Sequence, residues 1–506
     1  MTSSRTVPRA LLTNLALALG ACTQEAREFQ GGLTVNAPGA APGYVLYAPL
    51  TATTTFLVDR EGKVRHSWKN PLSTLSLYLL DDGTLLRSAR VEANATFNRG
   101  GRTGVIQRLA KDGAVLWEFE LCDDTGSMHH DIEPLPNGNV LAIAWERVSV
   151  EAALALGRDP AFVHPDGWWP DRVIEIEPAL PSGGQIVWEW RSRDHLVQDF
   201  DATKPNYGVP GEHPGRIDVN ALSRGERTMT EEEQRAQEEQ LAEMAGLGYG
   251  GGDDVEDGDG AKKEGKRERS RHPKDDWLHL NSIDYDPAHD LVLLSSPELN
   301  EIFVLDHSTT TAEARGSRGG RFGQGGDLLW RWGNPRNYGR GAPADQQLYF
   351  QHQPDWVRPG LPGAGHVTVF NNGLGRPGQP FSSIDELELP FDPERGFVRA
   401  PEAAFGPTKP VWSYSDAQTK RFYSFFISGC HRLANGNTFV CAGQQGRLFE
   451  VTPAGAIVWE YWNTAGGELE NVFNTGRVNL VKKTAVFRAT KLAPDHPGLR
   501  ALGVME

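Results

Sequence analysis

The sequence predicts an all-β fold, a six-bladed β-propeller with four-stranded blades, and three observations carry that expectation. A turn glycine, a few β-formers and a tryptophan recur six times along the chain. An Asn-Gly or Asp-Gly hairpin precedes several of these copies. The copy nearest the N-terminus lacks an inner half, which the C-terminus can supply.

The tryptophan copies are Gly62 to Trp68, Gly113 to Trp117, Gly184 to Trp188, Gly326 to Trp330, Val411-Trp412 and Gly455 to Trp459. The hairpins include Asp82-Gly83, Asn137-Gly138 and Asn435-Gly436, each followed by an apolar run. Asn-Gly and Asp-Gly are the strongest short hairpin signals because both central residues of the turn need positive φ. Five whole units follow, at about 75–117, 130–188, 279–330, 352–412 and 431–459. The sixth is split, with inner strands near 472–487 and outer strands at 44–68. Closing the ring this way removes exposed sheet edges.

Of the 506 residues, 14 are tryptophan, 56 glycine and only 5 methionine, which suits an all-β repeat protein. The formal charge of −15 argues against a nucleic-acid partner, because phosphate binding needs a basic face. Arg5 and Arg9 precede a short apolar run, Ala10 to Ala21, that ends in Leu19-Gly20-Ala21-Cys22. The run is too short to span a bilayer. It reads as an export signal at 1–22 whose end resembles the lipobox of bacterial lipoproteins, with Cys22 as the lipidated residue. A linker at 23–43 and the propeller at 44–506 would then form an extracytoplasmic domain held to the cell envelope by lipid. Residues 220–276 break the repeat with an acidic helix-like run and a Gly/Asp tract, followed by a basic stretch. Such blocks of charge predict a solvated, partly disordered insertion. Cys430 and Cys441 flank a hairpin turn, which allows either a disulfide or two buried thiols.

The histidines fall at corresponding places in successive units. His129-His130-Asp131 opens the second, His279-Leu280-Asn281 the third, Gln351-His352-Gln353 the fourth and His431-Arg432 the fifth. The first strand of a propeller blade lines the channel, so these imidazoles should converge on the axis. His289, His307 and His366 fall at turns or strand ends, where structural roles are expected. Arg376, in a glycine-rich loop after Asn371, adds a guanidinium, whose planar donors match the oxygens of a tetrahedral oxyanion.

Four segments together resemble the bacterial arylsulfate sulfotransferases. They are Trp277-Leu278-His279-Leu280-Asn281-Ser282-Ile283-Asp284-Tyr285, Gln351-His352, Asn371-Asn372-Gly373-Leu374-Gly375-Arg376 and Ser428-Gly429-Cys430-His431-Arg432-Leu433-Ala434-Asn435-Gly436-Asn437. The resemblance runs from Gly43 to about Leu492, outside the charged insertion. It implies a six-bladed periplasmic propeller that moves a sulfuryl group from an aryl sulfate donor to a phenolic acceptor through a sulfohistidine. No cofactor, metal or nucleotide sulfate donor is implied. By position His431 matches the nucleophile, and His279, His352 and Arg376 match the sulfuryl-binding set. His279 or His352 is the alternative nucleophile. His130, Asn281 and Asn371 are expected to bind or orient substrate. The large N-terminal β-sandwich of some relatives has no room here, which leaves the oligomeric state open. Competing readings are a quinoprotein-like dehydrogenase, a metal-dependent hydrolase and a non-catalytic envelope scaffold. The six repeats and the histidine set count against the first and third.

Overall fold

The structure, a computed structural model, describes residues 31–506 apart from 92, 93, 95, 222–234, 236–238, 241–274, 379, 417–421, 467–483, 505 and 506. The expected export signal with Cys22 and most of the charged insertion lie outside the described residues. So do positions 472–483, expected to hold inner strands.

Six antiparallel sheets form the six blades. Blade 1 runs from an inner strand at Thr74–Leu79 to an outer one at Val115–Glu120. Blade 2 runs from Gly126–Pro134 to Gly184–Arg191, and blade 3 from Ser282–Asp286 to Trp330–Trp332. Blade 4 runs from His352–Trp356 to Trp412–Tyr414, and blade 5 from Gly429–Arg432 to Ile457–Trp462. Blade 6 closes the ring as expected, but in the proportion of one strand to three. Val486–Leu492 from the C-terminus pairs with Tyr44–Pro49, and Thr54–Asp59 and Val64–Lys69 complete the sheet. Part of the stretch read as a linker is also a strand. Gly32–Asn36 pairs antiparallel with the outer strand of blade 5 and gives that sheet a fifth member. Two chain segments from the N-terminus thus cover two neighbouring blades. Among the described residues no helix is long and apolar enough to cross a membrane.

The repeated tryptophans hold blade to blade. Each is buried in its outer strand or nearly so, and in five blades the indole N–H reaches the turn before the outer strand of the next blade. Trp117 donates to Gly183 O at 2.8 Å, Trp188 to Thr309 Oγ1 at 3.2 Å, Trp330 to Gly406 O at 2.7 Å, Trp412 to Pro453 O at 2.9 Å and Trp459 to Arg60 O at 2.8 Å. At the sixth seam Trp68 is buried but its indole N–H makes no such bond. His66, edge-on to Trp68 at 4.3 Å, takes its place with Nε2 at 2.9 Å from Lys111 O. Each such bond contributes about 1 kcal/mol net beyond the burial of the indole.

Cys430 and Cys441 are both free thiols. The hairpin pairs Gly429 with Cys441 and Cys430 with Val440, a one-residue offset. In a strand one residue changes the face, so Cys430 packs toward blade 4 and Cys441 toward blade 6.

Candidate active site

The inner strands of blades 2 and 4 are bulged at one end of the channel, with the ladder interrupted between Ala142 and Ala144 and between His352 and Asp355. Bulges re-aim side chains. Six of the eight described non-glycine residues with positive φ stand at or just before inner strands here: His130, His279, Phe350, Gln353, Ile427 and Ser428. Bulky residues in left-handed backbone are rare and gather at functional sites.

These turns aim three imidazoles at one level. His130 is fully buried and meets His279 edge-on, with ring centroids 4.5 Å apart. His352 completes the set on the side of blade 4. Gly101 packs against the His130 ring, and its carbonyl accepts the His130 backbone N–H at 2.6 Å.

Two carboxylates absent from the sequence-based set stand behind these rings. Asp276 Oδ2 is 2.5 Å from His279 Nδ1, and Asp276 Oδ1 accepts the Trp145 indole N–H at 3.0 Å. Asp171 Oδ1 lies 3.1 Å from His129 Nε2, and His129 Nδ1 lies 2.8 Å from His130 Nδ1. His129 is clamped by Trp145, stacked at 4.0 Å with planes 10° apart. Asp276 falls at the end of the charged tract and Asp171 opens a third strand. The one local cue was the i, i+3 spacing of Asp276 and His279.

The environments push the two central imidazoles apart. Burial alone would lower His279, but the Asp276 carboxylate outweighs it and the ring is held protonated above its ordinary range. Burial, then repulsion of a second proton by His279 and the neighbouring imidazoles, drives His130 well below the usual imidazole value, so it stays neutral. His352 is pulled down to about 3, mainly by burial. Its Nδ1 donates to Asn372 Oδ1 at 2.8 Å, and its Nε2 accepts the Ile427 N–H at 3.2 Å, so both ring nitrogens are engaged.

Arg376 lies on the loop beside His352, half-buried over the faces of Phe381 (4.2 Å) and Tyr349 (5.1 Å), with Nη2 3.3 Å from Ser383 Oγ. Asn371 holds that loop by donating to Gln347 O and Asp385, and Asn281 donates to Gln351 O. Both asparagine side chains thus bind the scaffold. An apolar wall of Leu50, Leu75, Leu374, Phe425, Phe426 and Phe487 adjoins the histidines, with the Phe487 ring 6.1 Å from His130.

His431 stands elsewhere in the channel. It lies four residues before the Asn435-Gly436 turn, as Glu133 lies four before Asn137-Gly138, whereas His130 and Ser428 lie seven before theirs. Three residues of strand amount to about 10 Å. His431 Nε2 accepts the Lys491 N–H at 3.2 Å, and the charged groups acting on it are Lys491, Arg358 and Glu450. Burial lowers it to about 4. Glu133, Asp284, Asp355 and Arg358 form the rest of this charged level, where burial and Asp284 lift Asp355 to about 8. The histidines expected to be structural pair with acids: His289 with Asp286, His307 with Asp290 and Glu175, and His366 with Glu386.

Solved structures similar to this chain are distant. A Bacteroides caccae protein of unknown function is 10% identical, with 89% of this chain and 99% of that chain covered and a TM-score of 0.40. Virginiamycin B lyase from Staphylococcus aureus is 10% identical over 86% and 84% of the two chains, with a TM-score of 0.33. BamB from Moraxella catarrhalis is 10% identical over 85% of each, with a TM-score of 0.29. No curated protein is significantly similar in sequence. A family model is decisive where these are not: the one described as Arylsulfotransferase (ASST) matches residues 22–488, nearly the whole propeller, and the chain belongs to the arylsulfotransferase family.

Proposed function

We propose that the protein transfers a sulfuryl group from an aryl sulfate donor to a phenolic acceptor at the histidine end of the channel, through a sulfohistidine. The observation that carries this reading is the contact between a protonated His279 and a neutral His130. Two titratable groups in contact, with pKa values pushed in opposite directions, provide an acid and a base or nucleophile at one pH.

The geometry supports the following roles. His279, with Nδ1–H on Asp276, donates its other proton to the departing phenolate and later takes one from the acceptor phenol. Arg376 offers guanidinium N–H donors to the sulfuryl oxygens, which keep their negative charge throughout the transfer. His352 and Asn372 hold the Ile427–Ser428 turn that walls the site. The phenylalanine-rich wall takes the aryl ring of donor and acceptor in turn. The export-like N-terminus supports an extracytoplasmic enzyme tethered through Cys22.

The test is nitrophenolate release from p-nitrophenyl sulfate with and without added phenol. His279→Asn and Arg376→Met are each expected to lower the phenol-dependent rate by about 10²-fold or more. Rates equal to wild type in both variants would remove this cluster from the chemistry.

A further inference from the structure

The second and third strands of blade 1, Leu85–Arg90 and Gly104–Leu109, are joined by a loop that brings three arginines to the histidine end of the channel, Arg90, Arg99 and Arg102. They differ in what neutralises them. Arg99 is paired: its Nε and Nη2 donate to the two oxygens of Asp275, each at 2.9 Å, and its guanidinium lies 5.8 Å from the centre of the Trp169 ring. Arg90 and Arg102 have no carboxylate, and neither guanidinium has an acceptor among the described residues. Both side chains are half-buried, and Arg102 Nε is shut away from solvent without a partner. Burial, then the Arg90 charge, lowers the Arg102 guanidinium from its ordinary value. Two half-buried cations that repel each other and lack a counter-charge cost stability.

The pair adjoins the reacting level. The Arg102 backbone bridges to His129 on the inner strand of blade 2, next to the Gly101 that packs against the His130 ring. Arg90 stands two residues beyond Ser88, on the same face of its strand, and Ser88 Oγ donates to His130 O at 3.2 Å. The Arg90 charge acts on the His130 ring from there. The Arg90 backbone N–H binds Ser73 O, two residues before Leu75 of the apolar wall. Arg90 and Arg102 thus border both the imidazoles and the surface given to the aryl ring. They do so from blade 1, whereas Arg376 approaches from blade 4.

We propose that Arg90 and Arg102 form a second anion subsite, which takes an acidic substituent, a carboxylate or a sulfonate, on the aromatic ring of donor or acceptor. The inference rests on the sulfuryl-transfer reading and names its substrate class: phenols, and their sulfate esters, that carry a further negative charge. Guanidinium groups suit this task because their planar N–H donors match the oxygens of an acid group. Donor and acceptor rings occupy the same wall in turn, so one subsite reads both.

The experiment compares 4-hydroxyphenylacetate with 4-hydroxyphenylacetamide as acceptors, with p-nitrophenyl sulfate as donor. A methylene separates the substituent from the ring, so the two phenols are nearly alike in acidity and differ in charge. The full chain is expected to favour the carboxylate by about tenfold or more in kcat/KM, and the ratio is expected to fall toward one in the double variant Arg90→Met with Arg102→Met. The pair Arg90→Lys with Arg102→Lys should keep part of the ratio, which packing alone would not restore. A wild-type ratio near one, or a ratio that survives in the methionine variant, overturns the subsite. Equal losses with both acceptors overturn it as well, because they would place the arginines on the sulfuryl group common to both reactions. Titration with phenylacetate and phenylacetamide, which have no phenol to accept the group, reads the subsite without the reaction. Tighter binding of phenylacetate, weakened in the methionine variant, supports it, and equal binding of the two overturns it. A wild type that transfers to no phenol yet binds phenylacetate in this way would overturn the function and leave the anion subsite standing.

Discussion

Gly101→Ala is expected to lower kcat/KM by about a hundredfold or more while the protein stays folded. A methyl group built on Gly101 would stand 1.8 Å from Cε1 of His130, 2.0 Å from Nε2 and 2.3 Å from Nδ1. Backbone and imidazole cannot both keep their places. The ring is held by His129 on one side, by His279 on another and by Phe487 beyond, so it leaves the reacting geometry altogether. Displacing a reacting group by about 1 Å costs on the order of 10²-fold. Gly101 has φ +78°, so part of any effect is backbone strain. Gly138→Ala supplies the control: it has φ +90° and meets nothing within 4 Å. It should lose some stability and keep its activity. Equal activity losses in the two variants would show that strain, and not the collision with His130, is responsible.

Arg488→Met is expected to have the largest effect on stability, about 3–5 kcal/mol in urea unfolding. Asp131, fully buried on the inner strand of blade 2, accepts from Arg488 Nη1 at 2.6 Å and from the Ile283 N–H at 3.0 Å. Arg488 lies on the one strand that the C-terminus gives to blade 6. The pair therefore ties blades 2, 3 and 6 together and anchors the closing strand across the channel. Removing the guanidinium leaves a buried carboxylate uncompensated. The double variant Asp131→Asn with Arg488→Met removes both charges and is expected to recover much of the loss. A double variant as unstable as the single one would mean that packing of the arginine stem, not charge pairing, holds the closure.

Much of this architecture was legible because it repeats. Six tryptophans at one place in the repeat marked six outer strands, and the Asn-Gly and Asp-Gly turns marked several of the hairpins inside them. Gly32–Asn36 was not legible, because a strand added to an edge has no hairpin partner in the sequence. The histidine cluster was legible as a class, since residues at equivalent inner-strand positions converge on the axis. Its membership was not, because level in the channel depends on register, and His431 differs from Ser428 by three residues of strand. Asp171 and Asp276 escaped for another reason. Each reaches its imidazole from a different strand or loop, and only the closed ring brings them together. The cysteine hairpin left two readings open, and a one-residue offset that places the thiols on opposite faces decides for two buried thiols.

The central claim is that a protonated and a neutral imidazole in contact carry out group transfer and not hydrolysis. The most direct measurement is a product balance with p-nitrophenyl sulfate as donor and phenol as acceptor. Nitrophenolate and phenyl sulfate formed in equal amounts, with both lost in His279→Asn, is the result expected. Nitrophenolate accompanied by free inorganic sulfate, at a rate indifferent to phenol, would contradict it.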